Sequence, residues 1–187
     1  MAQCTDEEVQ RMLPLVSAQR REQALRYKHT FGRFCCLKSW LMLQEELGVM
    51  GVSEVGEFDY NEHGKPFLKD GPYFSISHCK EGIAVAIDDE PIGIDIEHIR
   101  KADNELIQRT MNEEEVRLIA RARDTADIAF TRLWTQKEAV VKAQGTGILS
   151  FEQLQSVLDN RSANTETVNK EKYIYSIAYG KLHCFSA

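Results

Sequence analysis

The stretch Pro91-Ile92-Gly93-Ile94-Asp95-Ile96-Glu97-His98-Ile99 alternates β-branched residues with small or acidic ones at period two. That period belongs to a strand, whose successive side chains point to opposite faces. Ile92, Ile94 and Ile96 therefore share one face, and Gly93, Asp95 and Glu97 the other. The isoleucine face is expected to enter a core. The opposite face sets two carboxylates side by side, although Asp is disfavoured in strands and like charges repel. A cation offsets both costs, and the hard cations that suit carboxylate oxygens are Mg²⁺ and Mn²⁺. The competing reading is an edge strand that turns an acidic face to water.

A second segment, from Phe130 to Gly147, carries apolar residues at Phe130, Leu133, Trp134 and Val141 and predicts a helix that Gly145 terminates. Glu138 and Lys142 stand one turn apart on it, beside Trp134. Alone they make an ordinary surface ion pair contributing roughly 0.2–0.5 kcal/mol. Next to an aromatic stripe, both groups can lean into a cleft at the edge of the packed face.

The rest of the chain frames these two elements. Thr5 with Glu8 reads as a capped helix start that Pro14 interrupts, and Ser17 and Thr30 as caps of two longer helices ending near Gly48. From Glu57 the period becomes two, and strands are expected near Glu57–Tyr60, Tyr73–Ser77, Ile83–Ile87 and Ile92–Glu97, forming an antiparallel meander. Asn112 with Glu115 fits a capping box, with Met111 against Val116 as its staple. The residues from Asp159 to Lys172 read as a turn or mobile loop, before a closing hairpin of Tyr173–Tyr179 and Leu182–Ser186 around Gly180-Lys181. The order helices, strands, helices, strands predicts an α+β fold of two similar α+β halves with pseudo-twofold symmetry, antiparallel sheets packed against helices. The halves are expected at 1–91 and 92–187, with the active site between them.

Composition narrows the functions. A formal charge of −6 opposes a general nucleic-acid binder, which needs a basic face, so no nucleic-acid partner is expected. No run reaches transmembrane length and no basic-then-apolar leader opens the chain, so a cytoplasmic protein that does not enter membranes is expected. Five cysteines without a Cys-x-x-Cys pair indicate neither a disulfide framework nor a zinc site. Two local basic clusters stand out, Arg20, Arg21, Arg26, Lys28 and Arg33 near the start, and Arg117, Arg121, Arg123 and Arg132 later.

Upstream of the acidic strand lie Gly64-Lys65-Pro66 and Phe74-Ser75-Ile76-Ser77-His78. Taken in order, Gly-Lys-Pro, Phe-x-Ile-Ser-His, Ile-Gly-Ile-Asp-Ile-Glu and Trp-Thr-x-Lys-Glu-Ala-x-x-Lys resemble the 4′-phosphopantetheinyl transferase superfamily, in its two-half, surfactin-synthetase-activating (Sfp-type) branch. The resemblance runs from about Arg20 to Gly147. It implies a Mg²⁺-dependent, cytoplasmic transferase that moves the phosphopantetheine arm of coenzyme A onto a serine of an apo acyl or peptidyl carrier protein, releasing adenosine 3′,5′-bisphosphate. The carrier would serve fatty acid, polyketide or nonribosomal peptide synthesis, and a monomer is expected because two halves in one chain supply their own interface.

By the same resemblance Asp95, Glu97 and Glu138 would hold the metal, and Glu138 would take the serine proton, directly or through water. Lys142 would steady the phosphate, with Lys137 as an optional helper. His78 matches a residue that contacts nucleotide phosphates, and Ser77, Lys65 and Pro66 match positions around the adenine and its 3′-phosphate. Arg20 and Arg33 match basic positions reaching that phosphate, while Ser75 stands where Asn is common and Gln23 where a basic residue is often found. Because carriers are acidic around their serine, the Arg117, Arg121, Arg123 and Arg132 cluster is the expected docking surface. Two alternatives use the same residues: a Mg²⁺-dependent coenzyme A or nucleotide pyrophosphatase, and a non-catalytic coenzyme A-binding module.

Overall fold

A computed structural model describes residues 4–52, 56–148, 150–159 and 164–180. It is an α+β fold of helices and antiparallel sheets, in two compact units, Met1–Asp59 with Phe67–Gly71, and Tyr60–Pro66 with Pro72–Ala187. The expected division at 91/92 falls inside the second unit, because the strands on either side of it pack together. The elements of the first unit are α1 (Asp6–Met12), α2 (Ala18–Leu25) and α3 (Thr30–Val49). Thr5 and Glu8 close the expected capping box on α1, and Ser17 caps α2 through the Arg20 amide. Thr30 is not a cap: His29 holds that position, and the Thr30 hydroxyl donates to Asp6 instead, at 2.7 Å. Leu37, Trp40, Leu43 and Leu47 form the buried face of α3 at helical spacing, and Trp40 meets Phe58 edge to face at 4.5 Å.

Short strands β1 (Asp59–Tyr60) and β2 (Pro66–Phe67) flank a turn, after which the chain forms β3 (Tyr73–Cys79), β4 (Gly82–Asp88) and β5 (Ile92–His98). There follow α4 (Asn104–Thr110), α5 (Glu113–Arg121), α6 (Ala126–Gln144), α7 (Phe151–Ser156), β6 (Asn164–Asn169) and β7 (Tyr173–Tyr179). β3 and β4 form the expected hairpin, but the meander stops there. β5 pairs with β7, antiparallel from Ile92 against Tyr179 to His98 against Tyr173, in a sheet of order β5-β7-β6. The polar segment read as a loop is thus the edge strand β6, paired with β7. The Leu182–Ser186 arm of the expected closing hairpin, and Cys184, lie outside the described residues.

Two serine hydroxyls connect the sheets. The amides of Ile94 and Ile96 point away from β7, and they donate to Ser75 Oγ at 3.0 Å and Ser77 Oγ at 3.3 Å. Both contacts advance in the same direction along β3 and β5, so the strands run parallel, side chains completing what a backbone ladder would otherwise satisfy. On its other side the β5-β7-β6 sheet carries α6, and Gly93 is what lets the helix approach. A Cβ built there would overlap the Ala139 carbonyl oxygen and the Ala143 amide nitrogen. Ile92 and Ile94 pack with Ala86 on the opposite face, as the alternation requires.

At its N-terminal end, α6 is held by α4 and α5 through a core of Ile107, Met111, Ile119 and Phe130. The Asn112–Glu115 capping box starts α5, and Glu115 also reaches α6. There Lys137, fully buried, pairs with Glu115 at 2.8 Å and donates to the Leu154 carbonyl of α7. Lys137 is therefore neither a solvated helix lysine nor a helper at the site; it ties three helices together. At its other end α6 stops at Gly145, left-handed with φ 74°. Cys35, Cys36 and Cys79 are buried and Cys4 is half-buried, and none of the four is in a disulfide among the described residues.

Candidate active site in the second unit

Because Gly93 faces α6, so do Asp95 and Glu97 two and four residues on. α6 presents Trp134, Glu138 and Lys142 to them at successive turns. Together with His78 from β3 these side chains line one open cleft of about 320 Å³. Asp95 is 5% exposed. Its Oδ1 accepts from Lys142 Nζ at 2.6 Å and from the Ser77 hydroxyl at 2.8 Å. Lys142 Nζ also donates to Ser77 Oγ, at 3.0 Å. Asp95 Oδ2 is buried with no hydrogen-bond partner among the described residues. A buried, unpartnered carboxylate oxygen is costly, and it is the feature of this cleft that most directly accommodates a cation.

Glu97 reaches His98 Nδ1 at 3.4 Å. Glu138 is half-buried, and desolvation, followed by the Asp95 charge, pushes its carboxyl above the usual value; Glu97 adds to this, while Lys142 and Arg100 oppose it. His78 is pulled below its usual value by desolvation and then by the Lys142 charge. Among the described residues no three His, Cys, Asp or Glu side chains are gathered as they lie into a metal-holding group. Asp95 is neutralised by Lys142 and Glu97 faces His98, so two of the three carboxylates are served from within the protein. The donor set is nonetheless all oxygen, which is the chemistry of a hard cation.

Glu138 and Lys142 also line a second cleft, with Lys65, Pro66, Val141 and Gly145. Asn61 shapes its rim. The Asn61 side chain accepts from the Lys65 amide at 2.8 Å and from the His63 amide at 3.0 Å, and donates to the Gly145 carbonyl at 2.8 Å. The Gly-Lys-Pro turn is thereby strapped to the end of α6. Lys65 Nζ donates to the carbonyls of Ile92 and Ala143, both at 3.4 Å, and desolvation lowers its pKa. Lys65, Pro66, Ser77, His78, Asp95, Glu97, Glu138 and Lys142 thus all belong to the second unit and border two clefts that share Glu138 and Lys142.

Arg20 and Arg33 belong to the first unit and enter the nucleotide reading through the resemblance alone. Arg20 is 7% exposed, its guanidinium 4.7 Å from the Trp40 ring and 4.3 Å from that of Phe58. Arg33 is half-buried and donates from Nε to the Tyr27 carbonyl at 2.9 Å. Sequence reasoning missed Asn61, whose partner Gly145 is distant in the chain. It also missed Arg100, whose guanidinium lies 4.8 Å from the Trp134 ring and 5.6 Å from that of Phe130. The one sequence cue to Arg100 was its position just past the acidic strand.

A family model described as the 4′-phosphopantetheinyl transferase superfamily matches residues 91–186. The chain is 33% identical over 136 residues to the 4′-phosphopantetheinyl transferase gsp of Aneurinibacillus migulanus, covering 71% of this chain and 57% of that protein. It is 29% identical over 150 residues to the 4′-phosphopantetheinyl transferase Sfp of Bacillus subtilis, covering 77% of this chain and 66% of that one. To the 4′-phosphopantetheinyl transferase AcpT of Salmonella typhi it is 36% identical over 113 residues, 57% of this chain and 58% of the relative. The chain therefore spans somewhat under two thirds of the length of these curated relatives. With the family model covering the acidic strand and the helix that faces it, the chain belongs to the 4′-phosphopantetheinyl transferase superfamily.

Proposed function

We propose that this protein transfers the 4′-phosphopantetheine arm of coenzyme A to a serine of an apo acyl or peptidyl carrier protein, as a cytoplasmic, monomeric, Mg²⁺-dependent enzyme. The observation that carries this reading is the meeting of Asp95 and Glu97 from β5 with Glu138 and Lys142 from α6 in one cleft. Asp95, Glu97 and Glu138 would hold Mg²⁺, or Mn²⁺ in its place, and the ion, when bound, would neutralise the diphosphate of coenzyme A.

The remaining work falls to the chain's own groups. The serine hydroxyl of the carrier attacks the β-phosphorus, the bond to the bridging oxygen breaks, and adenosine 3′,5′-bisphosphate leaves with the electron pair. Glu138 takes the serine proton, directly or through one water. Its raised pKa suits a base, which works best when its affinity for the proton is brought toward the operating pH. Lys142 offers its ammonium to phosphate oxygens from the same helix face. The nucleotide end is read by His78, Lys65 and Pro66, the last two on the turn strapped to Gly145. For the carrier, Arg121, Arg123 and Arg132 offer exposed positive charge, whereas Arg117 is shared with Glu113 at 2.9 Å.

The test is the intact mass of a panel of apo carriers after incubation with coenzyme A and Mg²⁺. Wild type is expected to add one phosphopantetheine, and Asp95→Ala and Glu138→Gln to add none while remaining folded. If both variants still load a carrier, the assignment of these carboxylates is wrong. Rapid cleavage of coenzyme A without any carrier would instead favour a pyrophosphatase, and binding of coenzyme A with neither outcome a non-catalytic module.

A further inference from the structure

We propose that Ser77 is a positioning residue that orients the Asp95 carboxylate toward a divalent cation, and not a contact for the nucleotide. The inference rests on the reading of Asp95 as a cation ligand. A hydroxyl has one proton to give and two lone pairs with which to accept. In Ser77 all three are engaged: it donates to Asp95 Oδ1 at 2.8 Å, and accepts from Lys142 Nζ at 3.0 Å and from the Ile96 amide at 3.3 Å. No capacity is left for a phosphate oxygen. Ser77 borders the cleft but is only 7% exposed, so little of its surface is open to a ligand.

What the hydroxyl does to Asp95 follows from how a carboxylate moves. The terminal torsion of Asp is broad and roughly two-fold, so nothing intrinsic decides which oxygen faces which way. Two donors on Oδ1, Ser77 and Lys142, decide it here, and they leave Oδ2 buried without a partner. Lys142 is a long, flexible side chain and only partly buried. Ser77 is short, and its oxygen is pinned to the backbone of the strand that carries Asp95, so it is the fixed half of the pair.

Ser75 supplies the internal comparison. Its hydroxyl accepts from the Ile94 amide at 3.0 Å and so makes the same connection between β3 and β5, but among the described residues it makes no hydrogen bond to a carboxylate. A purely structural role for the two hydroxyls would make their removal equivalent.

The experiment titrates Mn²⁺ alone into chelator-stripped wild type, Ser77→Ala, Ser77→Cys and Ser75→Ala, following free Mn²⁺ by electron paramagnetic resonance. Adenosine 3′,5′-bisphosphate affinity is measured separately in chelator. Removing a group that orients a metal ligand typically weakens metal binding about 10- to 100-fold, and that loss is expected for Ser77→Ala. Ser75→Ala is expected to stay within about 2-fold of wild type, and nucleotide affinity in Ser77→Ala to be unchanged. If Ser77→Ala does not fold, Ser77→Cys, of similar shape and a weaker donor, is expected to show the loss instead.

Wild-type Mn²⁺ affinity in a folded Ser77 variant overturns the proposal. So does an equal loss in Ser75→Ala, or lost nucleotide binding with Mn²⁺ binding intact. If neither Ser77 variant folds while Ser75→Ala does, the hydroxyl serves the fold and the proposal also falls. A wild type that takes up no Mn²⁺ overturns the cation reading itself, a different result from any of these.

Discussion

The surroundings of Glu138 oppose its charge, since burial and the neighbouring Asp95 and Glu97 all favour its protonated form. A carboxyl whose pKa is raised in the folded state contributes stability at low pH, and that contribution is lost as pH rises through the folded value. Metal-stripped Glu138→Gln should therefore melt at a higher temperature than wild type at pH 7, and the difference should vanish below the ordinary value of 4.5, where both states are protonated. The same variant should lose transfer by at least about 10²-fold, the usual contribution of a positioned base. Thermal melts at the two pH values and a carrier-loading assay check both halves. Lys137 behaves in the opposite sense. With no exposed surface and its partner Glu115 at 2.8 Å, its replacement by Met strands a buried carboxylate, which costs about 3–5 kcal/mol. The fall in denaturant midpoint measures it, with transfer by the folded fraction largely kept. The meeting of Glu138 with Asp95 was legible because alternation and the one-turn spacing each assign a face. The burial of Lys137 was not, because Glu115 and Leu154 lie on other helices and leave no mark near position 137.

Among the elements, β5 carries the strictest steric requirement. Gly93 lies against α6 with the backbone of Ala139 and Ala143 where a methyl group would go. Gly93→Ala is expected to destabilise the protein by about 3 kcal/mol or more, an overpacking cost that backbone atoms cannot relieve as a flexible side chain could. Urea denaturation measures the loss, and Gly82→Ala is the control, since a Cβ there would meet only Ile96 Cδ1 at 3.4 Å. The acidic strand and the helix facing it could be read from period and caps, and Asn112, Glu115 and Ser17 cap where expected. β6 escaped because Asn164-Thr-Glu-Thr-Val-Asn169 is an edge strand with little apolar alternation to detect. Its order comes from pairing with β7 and from Thr167, which meets Ser176 Oγ at 2.9 Å and the Gln136 amide at 2.9 Å. The choice of β7 over β4 as the partner of β5 is a long-range pairing, decided by the packing of α6 across β5, β6 and β7 and by no local signal.

For the molecule as a whole, a net charge of −6 must still admit an acidic carrier. Reversing Arg121 and Arg132 to Glu is expected to raise KM for the carrier several-fold, more at low salt than at high, and to leave coenzyme A affinity unchanged. Steady-state kinetics at two ionic strengths check it, and unchanged carrier kinetics would remove that surface from the account. No helix among the described residues is long and apolar enough to cross a membrane. The α+β class was legible from the change of period along the chain; the two compact units were not, because they follow which strands pack together and not the order in which they occur. The central claim is that carboxylates from β5 and α6 share one divalent ion. Its most direct test is a crystal structure with Mn²⁺ and coenzyme A, the ion located by its anomalous scattering. The account predicts a single ion bonded to oxygens of Asp95, Glu97 and Glu138; a diphosphate bound with no ion there, or with an ion held by other residues, would contradict it.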